Sequence, residues 1–161
     1  MEVGNVIPEM DPLSGYPGEG ETWRAETGWQ TISLCDYYDP TAANPKVMLV
    51  DVSALWCTGC RQEAEAGICE DYAENGMVCY TAIFEGEQNE PATQAHVDDW
   101  KSFYEIKGPI VMDPLSAWGP FYESAPLNLF IDLRTMRILD KTEGFQPGPL
   151  EANIKHFLGL Q

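Results

Sequence analysis

The eight residues Val47-Met-Leu-Val-Asp-Val-Ser-Ala54 constrain the fold more than any other segment. They are β-rich and almost continuously apolar, the mark of a strand covered on both faces and hence of the middle of a sheet. Such a strand needs neighbouring strands and a helical layer on each side. The pattern from Cys57 to about Glu74 is helical, rich in Ala and Glu, and Asn75-Gly76 stops it. Met77–Phe84 reads as a second buried strand. Thr93–Ile106 reads as a helix with Val97, Trp100, Phe103 and Tyr104 facing inward. Ile110–Met112 is a short strand ended by Asp113-Pro114, followed by a loop or short helix around Ser116–Tyr122. Leu127–Asp132 and Met136–Asp140 read as strands joined by a tight turn, and Pro149–Leu160 as an amphipathic helix. Upstream, Trp29–Cys35 partly alternates like a strand, and Asp39-Pro40 and Asn44-Pro45 bracket a surface loop. This order predicts an α/β fold with a central mixed β-sheet flanked by helices.

The chain has 161 residues, the length of one domain. Residues 1–25 are rich in Gly, Pro, Glu and Ser without a period, and read as an extended or mobile N-terminal arm ahead of a domain at 26–161. Nine Lys and Arg face 26 Asp and Glu, a net charge of −17 that excludes nucleic-acid binding. No apolar run reaches the ~20 residues of a membrane span. Met1–Gly20 has three prolines and four glycines but no basic or apolar export region, so the chain starts either in the cytosol or after a removed export segment.

Five cysteines are present, and only Cys57-Thr58-Gly59-Cys60 has a short, chemically meaningful spacing. The pair falls where the buried strand hands over to a helix. Free N–H groups and the positive end of the helix favour a thiolate there, which makes Cys57 the nucleophile. Cys60, one turn later, can attack a mixed disulfide formed on Cys57. Arg61 adds local positive charge, which Glu63 and Glu65 oppose. Zinc bound by Cys57, Cys60, Cys69 and Cys79 competes with this reading, but the last two cysteines lack a short spacing. A static structural disulfide also competes. Covalent haem needs a His at position 61, where this chain has Arg.

The segment Val50-Asp-Val-Ser-Ala-Leu-Trp56-Cys57-Thr-Gly-Cys60 resembles the active-site segment of thioredoxin-fold proteins. The branch it is most similar to is the TlpA/ResA-like thiol–disulfide oxidoreductases, or redoxins. Ala125-Pro126-Leu-Asn-Leu-Phe-Ile-Asp132 resembles the cis-proline loop and strand of that family. The likeness runs from about Trp29 to Leu160. It implies a thioredoxin fold with an N-terminal strand extension and a thioredoxin-like domain at 26–161. It also implies exchange of disulfides with protein substrates. Cys57 would attack and Cys60 resolve, while Asp51 would shuttle the resolving proton. Trp56 would form part of the substrate-facing rim. Pro126 would be cis, with the Ala125 backbone offered to an extended substrate. The residues themselves leave room for an Asp51 solvated at the sheet rim and for an ordinary trans Pro126. The dithiol carries two electrons, so no bound cofactor is expected and no metal. The implied partners are protein thiols and an upstream redox partner. The implied setting is extracytoplasmic or periplasmic, with any membrane anchor in a segment absent here. Thr58-Gly59 lacks the proline common in thioredoxins, and Tyr122-Glu-Ser-Ala lacks the glycine-rich signature of cytochrome c maturation members.

Cys69 and Cys79 flank the Gly76 turn at similar reach, consistent with a disulfide or with two separate buried thiols. Cys35 reads as a buried strand thiol, and His96 and His156 as helix-surface residues. Trp118 reads as packing or as a neighbour of the site, and Glu85–Glu90 as a solvated loop. A peroxiredoxin-type peroxidase would need Pro at 50 and Thr at 54, where this chain has Val50 and Ala54.

Overall fold

The computed structural model describes all residues, Met1–Gln161. Seven strands form one sheet: β1 (Leu13–Tyr16), β2 (Gln30–Ile32), β3 (Val47–Ala54), β4 (Met77–Glu85), β5 (Ile110–Met112), β6 (Leu127–Asp132) and β7 (Arg137–Glu143). Three α-helices accompany them: α1 (Thr58–Ala66), α2 (Gln94–Phe103) and α3 (Pro147–Leu158). The sheet order is β2-β1-β5-β4-β3-β6-β7. β4 pairs in parallel with β3 and β5, and the remaining pairs are antiparallel.

Every residue of β3 is buried, as its unbroken apolar run requires. Its two faces feed two clusters. Val47 and Leu49 pack with Phe130 and with Leu150, Ile154 and Leu158 of α3. Met48, Val50 and Val52 join the larger cluster that holds Val97 and Trp100 of α2. Asp51 therefore stands on the α3 side of β3, opposite Asn128 of β6 in register.

Several local expectations are corrected. The helix that opens after Cys57 ends at Gly67, which takes the left-handed conformation at φ 61°; a 3-10 helix then spans Glu70–Asn75. Cys69 thus lies outside α1. Cys35 is exposed in a 3-10 helix at Leu34–Tyr37, not buried in a strand. Phe103 points outward, 79% exposed, because α2 ends there and the inward stripe stops at Trp100. The first 25 residues contain β1, which pairs with both β2 and β5. Residues 4–7 run along β7: Gly4 N–H donates to the Ile138 carbonyl and Ile7 N–H to that of Met136.

Candidate active site

Cys57 is the N-cap of α1, and its sulfur accepts the N–H of Cys60 at 3.1 Å. A thiolate formed at this sulfur keeps that donor and faces the positive end of the helix. Cys57 and Cys60 are joined as a disulfide. Cys57 retains 4% exposure and Cys60 none, so an incoming sulfur reaches Cys57.

The Ala125–Pro126 bond is cis. Pro126 is buried against the redox turn: a Cβ placed on Gly59 would lie 3.4 Å from Pro126 Cδ. The main chain of Ala125 makes no hydrogen bond to the rest of the backbone. Trp56 is 41% exposed and its Nε1–H donates to Glu85 at 2.7 Å. Its ring meets Phe84 edge-on, and Phe84 meets Tyr122 at 6.1 Å, so an aromatic rim joins the Cys57 turn to the loop before Pro126.

A polar cluster lies behind the disulfide. Asp51 accepts the Ser53 hydroxyl at 2.6 Å. Burial pushes the Asp51 carboxyl up to about 7 despite that bond. Glu63 is the member that the sequence did not reveal. Cys60 and Glu63 are the two buried residues of α1, three apart and therefore on one face. Burial raises the Glu63 carboxyl well above the usual range, and the nearby Asp51 carboxyl adds to the rise. Asn128 donates from Nδ2 to Glu63 at 2.9 Å and opposes it, while its own Oδ1 has no partner. In a Glu-rich helix Glu63 reads as solvated; its offset from Cys60 was the available signal. A cavity of about 120 Å³ adjoins the pair, lined among others by Asp51, Glu63, Thr81, Tyr104, Cys69 and Cys79.

Cys69 and Cys79 form a second disulfide, tying the residues after α1 to β4. The four sulfurs are thus divided between two bonds, and no group of three or more His, Cys, Asp or Glu is arranged to hold a metal ion. His96 serves α2 as part of a capping box, its Nδ1 accepting the Thr93 N–H at 3.1 Å. Trp118 is buried.

No protein-family model matches the sequence, and no curated protein matches it. Solved structures do share its shape. The thioredoxin domain of a thiol-disulfide oxidoreductase from Bacteroides vulgatus superposes with a TM-score of 0.67 at 16% identity, covering 98% of this chain and 99% of the other. A thiol:disulfide interchange protein from Bacteroides sp. gives 0.65 at 16% identity, over 99% and 91%. A secreted Mycobacterium tuberculosis disulfide oxidoreductase gives 0.51 at 15% identity, over 69% and 81%. The chain has the fold of a thioredoxin domain, with a seven-stranded mixed sheet.

Proposed function

We propose that the protein is a thiol–disulfide oxidoreductase acting on polypeptide substrates, an enzyme of the thioredoxin type. One observation carries the reading: a cysteine pair caps a helix N-terminus against a cis-proline, with a buried carboxyl pair on the resolving-cysteine side. A structural disulfide needs neither a helix-capping sulfur nor a pair of carboxyls whose pKa burial raises.

In the reducing direction the Cys57 thiolate attacks one sulfur of a substrate disulfide. A Cys57–substrate mixed disulfide forms, and the other substrate sulfur leaves as a thiolate that takes up a proton. Cys60 then gives its proton to the Asp51–Glu63 pair and attacks the Cys57 sulfur. The Cys57–Cys60 bond forms and the substrate leaves as its second thiol. Two electrons pass from enzyme to substrate, and the reverse sequence oxidises a dithiol. A base near pH 7 suits both directions, since it takes and returns the same proton. Trp56 and the Ala125 main chain receive the substrate segment as an added strand. The dithiol is itself the electron carrier, so no bound cofactor enters the cycle. A second redox protein resets the pair after each turnover.

We place the protein outside the cytoplasm. The Cys69–Cys79 bond supports an oxidising compartment, as does the likeness to a secreted oxidoreductase. Equilibration with glutathione, read at the Cys57–Cys60 bond by mass spectrometry, tests the activity. The expected result is a reversible couple between about −270 and −120 mV that is lost in Cys57→Ser. A bond that never exchanges would sink the reading.

A further inference from the structure

Three consecutive residues at the end of β7 touch three parts of the site. The Glu143 carboxylate accepts the Glu123 N–H at 3.2 Å, the Ser124 N–H at 3.0 Å and the Ser124 hydroxyl at 3.1 Å. Gly144 donates its N–H to the Pro126 carbonyl at 2.8 Å. Phe145 lies beside the redox turn, where a Cβ on Gly59 would come 3.9 Å from its own Cβ. Pro126 itself is fixed by burial and by β6 behind it. The loop 122–125 makes no hydrogen bond to the rest of the backbone; its ends, Tyr122 and Ala125, pack against the core, while Glu123 and Ser124 between them are exposed. Glu143 is the side chain that ties down those two exposed residues.

We propose that Glu143 is a positioning residue for polypeptide substrates, holding loop 122–125 so that the free main chain of Ala125 faces an incoming strand. This rests on the exchange reading above. A carboxylate that accepts three hydrogen bonds makes a strong local anchor. Without it, the exposed Glu123 and Ser124, which make no ladder bonds, would lose their freedom only when substrate binds, and that ordering would subtract from affinity. Lys141, 3.5 Å from Glu143, balances its charge without reaching the loop amides. None of the hydrogen bonds of Glu143 involves a cysteine. A small disulfide that reaches Cys57 without pairing along Ala125 does not use the anchor. Glu143 therefore sets the preference for polypeptides over small disulfides and leaves the sulfur chemistry alone.

The test is single-turnover oxidation of the reduced full-length protein by insulin and, separately, by glutathione disulfide, with acid quench and mass spectrometry. Each turnover closes the Cys57–Cys60 bond and reduces one disulfide of the oxidant to two thiols. Glu143→Ala should slow the second-order reaction with insulin by about 10–100-fold, the loss expected for charged hydrogen bonds. The half-saturating insulin concentration should rise while the limiting rate holds. The rate with glutathione disulfide, and the equilibrium with glutathione, should stay within about twofold. Glu143→Gln keeps one acceptor oxygen, preserves the fold and should fall between the two. Equal slowing with both oxidants in the Gln variant, or no slowing with insulin in either variant, would overturn the proposal. Wild-type protein inert toward both disulfides would overturn the exchange reading, and this one with it.

Discussion

Asp51 and Glu63 are two carboxyls in one buried cluster, served by one hydroxyl and one amide N–H. That supply is too small to hold two negative charges away from water. The consequence for stability has a definite sign. An unfolded Asp51 titrates near 3.8 and the folded one near 7, so between those values the native state binds the extra proton. Stability from this site is complete below about pH 4 and drains away as pH rises through 7, because above that the fold must carry a buried carboxylate. At 1.36 kcal/mol per pH unit the full effect is about 4 kcal/mol. Asp51→Asn should therefore be more stable than wild type by about 2–4 kcal/mol at pH 8, with the gap closing by pH 4. Urea unfolding at the two pH values measures this, and an equal gap at both would exclude the buried-carboxylate account. The same variant should resolve mixed disulfides about 10²-fold more slowly, since Cys60 loses a proton acceptor. Asp51 was legible from its place on an otherwise apolar strand. Asn128 was not, because the strand Leu127–Asp132 gives no sign of which polar residue meets a buried partner until β3, β6 and α1 are packed together.

At the scale of elements, long apolar runs were readable and short or strained pieces were not. β3, β4 and β6 lie where their patterns placed them, since a strand buried on both faces cannot hide its composition. β1 is four residues long and contains Gly15, so no period marks it; the glycine is there because a Cβ would collide with the Ile110 carbonyl of the paired strand. The break in the helical pattern at Gly67 was equally quiet, and it lets Cys69 meet Cys79. That bond closes a loop of sequence separation 10. Chain-entropy reasoning gives about 2–3 kcal/mol for such a loop. Cys69→Ala/Cys79→Ala should lower the unfolding free energy from urea titration by that amount while the Cys57–Cys60 couple with glutathione persists. Loss of the couple in the folded double variant would mean that the second disulfide shapes the first.

Across the whole molecule the dominant quantity is the net charge of −17. The rim of the site shares its sign: Glu85 is bonded to Trp56, Glu143 holds the substrate loop, and Glu87 and Asp99 line the groove beside Leu55 with Arg61 as the cation there. A field of that sign draws cationic polypeptides toward Cys57 and repels anionic ones before any contact forms. It also opposes the approach of glutathione disulfide, which is itself anionic. Salt separates this steering from the contacts made after docking, because the Debye length shrinks from about 30 Å at 0.01 M to about 3 Å at 1 M. Raising the ionic strength over that range should slow oxidation of the reduced enzyme by a lysine-rich disulfide peptide by about tenfold or more. The reaction with a glutamate-rich peptide of the same length should speed up. If both rates moved in the same direction, salt would be acting on the sulfur chemistry or on the fold, and the surface charge would have no part in choosing the substrate.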